Sequence, residues 1–167
     1  EKKQNNNTIQ IKEIEFQGEK VKICCNDKNN TDIYVFKVVK KACHDNGVLF
    51  MCTPFDEPSL DLLMSLDVDI LKLASFDLGN LAFIDIVSKT GKPIVMSVGG
   101  GNSDEIKSSI NQIEKYHDNM AVLHCVSEYP CDFSRLGLEN IKTLIDLYPN
   151  ITIGLSDHFN GISSGPV

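Results

Sequence analysis

Five short apolar runs, each closing on polar residues able to do chemistry, constrain this chain more than any other feature. They read VLFMCTPFD (48–56), ILKLASFD (70–77), PIVMSVGGG (93–101), AVLHCVSEYP (121–130) and ITIGLSDH (151–158). Amphipathic stretches of helical length separate them, so the chain alternates strand and helix. The runs are Val, Ile and Leu without polar alternation, which predicts strands buried on both faces, as in a parallel sheet. An α/β fold with reactive groups at the carboxyl end of every strand is how a (β/α) barrel builds its catalytic face.

Of the 167 residues, 42% are hydrophobic, enough for one ordinary core. A complete TIM barrel needs roughly 250 residues. The chain therefore reads as a partial barrel, about five of eight strands, from the middle of a longer protein. On this reading GISSGPV (161–167) opens a further helix. The alternative is a small open α/β sheet complete in itself. Residues 1–32 are rich in Asn and Lys and read as an irregular polar segment, although the alternation in IQIKEIEF (9–16) permits a short strand or hairpin. The barrel segment is expected over 33–167.

A net charge of −7 argues against nucleic acid or an anionic membrane as partner, since both favour a surplus of Lys and Arg. A small anionic substrate needs only a few basic groups placed locally. No apolar run approaches the ~20 residues that span a bilayer, and no secretory leader is visible. The six cysteines, Cys24, Cys25, Cys43, Cys52, Cys125 and Cys131, match no zinc spacing and read as buried free thiols of a cytoplasmic protein.

Local signals divide the chain further. A helix over 33–47 ends at Gly47, and strand 48–53 follows. Asp56 caps the next helix, with Pro58 in its first turn. Strand 70–74 and helix 80–90 come next, the latter stopped by Gly91 and Pro93. Then come strand 94–97, a helix over 103–117 capped by Ser103 or Asn102, strand 121–126, helix 135–148 and strand 151–155.

The strand ends hold the candidate site. Thr53 can offer a hydroxyl to an anion or simply turn the chain into a helix. Lys72 lies in an otherwise apolar strand, where an unpaired ammonium would cost several kcal/mol. It needs a fixed carboxylate or an anionic ligand, or it serves as a Schiff-base nucleophile. Ser75 and Asp77 follow it. Ser97 precedes three glycines, whose backbone N–H groups can approach an anion closely. His124 reads as a hydrogen-bonded core residue. Ser127 and Tyr129, two apart, are expected to face the same side. His158, just past a strand, suits a metal but cannot hold one alone.

Together and in this order, TPFD, LKLASFD, KTGKPIVMS, LHCVSEYP and GLSDH resemble barrel strands three to seven of the sialic acid synthase family, which includes N-acetylneuraminate, legionaminate and pseudaminate synthases. The resemblance covers about residues 33–162. It implies condensation of phosphoenolpyruvate with N-acetylmannosamine or a related N-acyl hexose, releasing phosphate and forming a nonulosonic acid. It implies a divalent metal, Mn or Mg, and a homodimer of the full-length protein. Thr53, Lys72, Ser75, Ser97, Ser127 and Ser156 would surround phosphoenolpyruvate, with Lys72 also catalytic. Tyr129 would contact the sugar, and His158 would ligate the metal. Asp77 stands where the family commonly has Glu and would carry acid/base chemistry. Ser127 replaces the Asn of some members, and VGGG replaces the frequent TGM. The family's strands bearing a catalytic Glu, a Lys and Gln, and a second metal His are not matched here. A Schiff-base aldolase using Lys72 and an inactive remnant are the competing readings.

Overall fold

The computed structural model describes residues 11–16, 19–24 and 31–161, with side chains from residue 35 onward. It divides into two compact units, Glu1–Phe50 and Met51–Val167.

In the first unit, strands β1 (Ile11–Phe16) and β2 (Glu19–Cys24) pair antiparallel, Ile11 opposite Cys24. The alternating pattern of that segment thus forms a hairpin within residues expected to be irregular. Helix α1 (Thr31–Asp45) follows, and Gly47 leaves it at φ +71°. The Val48 N–H returns to the Cys43 carbonyl (3.0 Å), and the rings of Phe36 and Phe50 lie 6.4 Å apart. These contacts hold α1 and residues 48–50 together. They explain why the compact boundary falls after Phe50 and not after residue 32.

The second unit is a five-stranded parallel sheet in the order β3 (Met51–Cys52), β4 (Ile70–Leu73), β5 (Ile94–Ser97), β6 (Met120–Cys125), β7 (Thr152–Ser156). Consecutive strands are neighbours throughout, as in a (β/α) barrel. Between them run α2 (Glu57–Ser65), α3 (Leu81–Ser88), α4 (Ser103–Glu114) and α5 (Glu139–Leu147). Each helix except α5 starts on a side-chain cap. Asp56 accepts from the Ser59 N–H at 2.8 Å and Asn80 from Phe83 at 3.4 Å, while Asn102 accepts from both Asp104 and Glu105. Of the two caps expected for α4, the structure uses Asn102. Residues 162–167, where a further helix was expected, lie outside the described residues.

Register sorts the strand residues onto two faces. Leu71, Ile94 and Met120 align across the sheet, as do Leu73, Met96, Val122 and Ile153. All but Ile153 are buried, against helix residues such as Leu63, Ile84, Ile110 and Ile113. Each such side chain contributes on the order of 1.5–3 kcal/mol by leaving water. The opposite face carries Lys72, Val95 and Ala121 in one row, then Ser97, Leu123 and Gly154, then Cys125 and Ser156. Lys72, Val95, Ala121, Leu123 and Ser156 there are only half-buried. The expectation of burial on both faces therefore holds on the helix side alone, because no described element of this unit covers the other face. That uncovered face is the one that carries the polar strand residues.

Candidate functional site

Lys72 sits in the middle of the sheet with its stem along β4. Its Nζ donates to the Leu73 carbonyl (2.8 Å) and to Ser97 Oγ (2.7 Å). No carboxylate forms an ion pair with it among the described residues. Burial pulls its pKa below the usual lysine value, against the opposing influence of Cys125 and Asp77. The ammonium is thus held by two neutral acceptors, leaving its third proton unclaimed.

Ser75 and Ser97 are arranged alike. Ser97 Oγ accepts from Lys72, and Ser75 Oγ accepts from the Gly99 N–H at 3.1 Å. A hydroxyl whose oxygen is engaged by a fixed donor must offer its own proton elsewhere. Neither proton has an acceptor among the described residues, and the hydroxyls of Thr53, Ser127 and Ser156 have no partner there. Lys72, Ser75, Ser97 and Ser127 are brought together by these contacts, since Ser127 Oγ lies against the Cα of Gly99. Ser156 stands beside Cys125 in the register. Thr53 follows Cys52, which pairs with Leu71, and no described hydrogen bond ties it to the others.

The glycine run behaves differently from its sequence. The Gly99 N–H, expected to face an anion directly, is occupied by Ser75. Asp77 is also less open than a strand-end acid suggests. It forms part of a short 3-10 turn (Ser75–Asp77) and is only 3% exposed, with Oδ2 unpartnered among the described residues. Burial raises its pKa, against a weaker lowering by the Ala74 backbone and Lys72.

His158 is fixed on several sides. Its Nδ1 lies 2.6 Å from the Val126 carbonyl, its ring centroid 3.9 Å from that of Tyr129, and Cys125 Sγ is 3.8 Å from Nδ1. The Cys131 N–H donates to the His158 carbonyl at 2.9 Å. Donation from Nδ1 to a carbonyl leaves Nε2, 3.9 Å from Cys125 Sγ, as the acceptor nitrogen, the state a metal ligand needs. Among the described residues no three His, Cys, Asp or Glu side chains gather to complete a metal centre. The donor set present therefore fits one ligand and not a whole site. Ser127 and Tyr129, expected to share a side, lie beyond the end of β6 and diverge, one toward Gly99 and the other toward His158. His124, on the helix side, bonds the Leu136 carbonyl at 2.7 Å, as expected of a core histidine.

Val126 and Cys125 belong to the site although the sequence did not single them out for it, and Gly99 enters it through Ser75. For Cys125 a signal existed, because a step of two from Ala121 and Leu123 puts it on the polar face. A cleft of about 950 Å³ lies between the starts of α4 and α5, lined by residues such as Ile106, His124, Thr143 and Leu144 and reaching Ser127 alone of the candidate hydroxyls, and a second of about 430 Å³ opens at Tyr129 and His158. No helix of the described residues is long and apolar enough to cross a membrane.

Known proteins share this arrangement of sequence and fold. The N,N'-diacetyllegionaminic acid synthase of Campylobacter jejuni is 36% identical over 125 residues, covering 73% of this chain and 36% of that protein. An uncharacterised protein of Methanocaldococcus jannaschii is 35% identical over 128 residues, covering 76% and 38%. A solved N-acetylneuraminic acid synthetase from Leptospira borgpetersenii superposes with a TM-score of 0.75 at 34% identity, covering 78% of this chain and 46% of that one. The chain thus spans well under half the length of the relatives it matches. The NeuB family matches residues 1–165, and the chain belongs to that family.

Proposed function

We propose that the polar face of the sheet is the phosphoenolpyruvate site of a nonulosonic acid synthase. The observation that carries this reading is the donor polarity of the cluster. Lys72 forms no ion pair among the described residues, and Ser75 and Ser97 have their oxygens already engaged, so the group presents protons and positive charge to whatever enters. Such a set binds a polyanion and leaves a neutral ligand poorly matched. The Leptospira relative was solved with citrate, another polyanion, which supports this reading.

Lys72, Ser75, Ser97, Ser127, Thr53 and Ser156 hold the phosphate and carboxylate in this reading. An N-acylated hexose such as N-acetylmannosamine lies beside Tyr129, within the cleft that opens there. Positioning the enol carbon against the sugar aldehyde is the main task, and fixed donors on a rigid sheet suit it. His158 offers one nitrogen to a divalent metal such as Mn or Mg, whose role in this chemistry is to polarise the aldehyde. The described residues supply no further ligand, so the steps assigned to this chain are anion binding and orientation. Asp77, buried and tending to hold its proton, is placed near Lys72 as the acid/base candidate. On this reading the full-length protein is a cytoplasmic homodimer.

Calorimetric titration with phosphoenolpyruvate tests the proposal. The unmutated protein should bind it, and Lys72→Met should weaken binding about a hundredfold, as losing one partner of a desolvated charge pair does. Absence of binding by the unmutated protein would remove the anion site. The lowered pKa of Lys72 also favours a Schiff-base aldolase. Borohydride in the presence of a keto acid would trap a covalent adduct at Lys72 in that case, and none is expected here.

A further inference from the structure

Three glycines follow β5, and their surroundings are unlike. A methyl group at Gly100 would meet only Ser127 Oγ, at 3.9 Å, and one at Gly101 would strike the flexible end of Leu78. At Gly99 it would stand 2.6 Å from Ser127 Oγ, 2.9 Å from the Cys125 carbonyl oxygen and 3.0 Å from Cys125 Sγ. The carbonyl belongs to β6, paired on both sides by β5 and β7, and cannot swing aside as a side-chain tip can. Gly99 is itself buried, and its N–H is the donor that engages Ser75 Oγ. The carboxyl ends of β4, β5 and β6 therefore meet at one residue without a side chain.

Two consequences follow for the hydroxyls. Because the Gly99 N–H occupies one lone pair of Ser75, the hydroxyl oxygen is held in place and its proton is left for another acceptor. Because Gly99 has no Cβ, Ser127 Oγ can lie against the same backbone from the next strand. We propose that Gly99 is a positioning residue of the anion site, holding the Ser75 hydroxyl in place through its N–H and setting the location of Ser127 through its missing side chain. This rests on the phosphoenolpyruvate reading above, and it assigns the glycine run an indirect role in place of direct contact with the ligand.

A double-mutant cycle in the full chain tests it, using phosphoenolpyruvate affinity as the readout and the thermal midpoint as a check on folding. Gly99→Ala and Ser127→Ala should each weaken binding about tenfold, the scale of one hydrogen bond to a charged group. Their combined loss should fall clearly short of the product of the single losses, because the methyl of Gly99→Ala acts by displacing the Ser127 hydroxyl that the second variant removes. Fully multiplicative losses would overturn the proposal. If Gly99→Ala does not fold, hydrogen exchange in Ser75→Ala decides. The Gly99 amide should exchange faster once its acceptor is gone, and unchanged exchange would overturn the proposal. Failure of the anion reading itself looks different, since the unmutated chain would then not bind phosphoenolpyruvate at all.

Discussion

An ammonium held between a carbonyl and a serine, in no ion pair among the described residues, opposes folding until an anion arrives. Replacing Lys72 by Met keeps the length of the stem and removes the desolvated charge. The thermal midpoint of Lys72→Met is therefore expected to stay level or rise even as anion binding is lost. A fall of many degrees would show that the lysine is structural. Asp77 makes a second test at this scale. Burial raises its folded pKa above the ordinary 3.8, so the folded state binds the proton more tightly than the unfolded one. Its contribution to stability is complete below the unfolded value and is lost as pH rises through the folded value. Asp77→Asn, which cannot ionise, should match the unmutated protein in strong acid and exceed it in stability at neutral pH. Denaturant melts across that range would reveal a constant difference if the carboxyl were not perturbed.

Helix α4 begins immediately after the glycine run, so its start influences where Gly99 stands. Asn102 accepts from the Asp104 and Glu105 N–H groups at 3.0 and 2.9 Å, while Glu105 returns a bond to the Asn102 N–H at 2.9 Å. Asn102→Ala should cost about 1 kcal/mol of stability, the usual value of such a cap. Denaturant unfolding with an unchanged slope would measure it, and no loss would mean that the cap is replaceable. Capping signals of this kind made the helices legible in sequence. Boundaries were less so where backbone conformation intervened. The helix expected over 135–148 is a 3-10 turn (Phe133–Arg135) and then α5, because Gly137 at φ +58° interrupts any regular helix. The strand expected over 48–53 shortens to Met51–Cys52, since residues 48–50 pack with α1.

At the scale of the molecule, the five strands leave two lateral edges, at β3 and β7, and one face that no described element of their own unit covers. Unpaired edges of parallel strands recruit other chains. The 167-residue chain expressed alone is therefore expected to self-associate as its concentration rises, as light scattering would register. A monomer that stays monodisperse at high concentration, with a sharp cooperative melt, would show that edge and face are satisfied internally. The same open face explains how polar groups coexist with a well-packed core. Leu71, Leu73, Ile94, Met96 and Val122 are sealed under helices, while Lys72, Ser97 and Cys125 alternate with them on the other side.

The sequence by itself determined the alternation of strand and helix, because apolar runs and helix caps act over a few residues. It also singled out Lys72, Ser75, Ser97 and Ser127, which stood out as polar residues at the ends of apolar strands. Tertiary structure alone decided what those residues do to one another. Whether Lys72 meets a carboxylate depends on side chains brought to it across the sheet, and those prove to be a carbonyl and a serine hydroxyl. Whether Gly99 faces a ligand or Ser75 depends on a contact between residues 24 positions apart. The orientation of His158 likewise rests on Val126 and Tyr129, which come from the strand end next to its own. Local pattern carries no information about such distances. Sheet register does, and it exists only once the strands have paired.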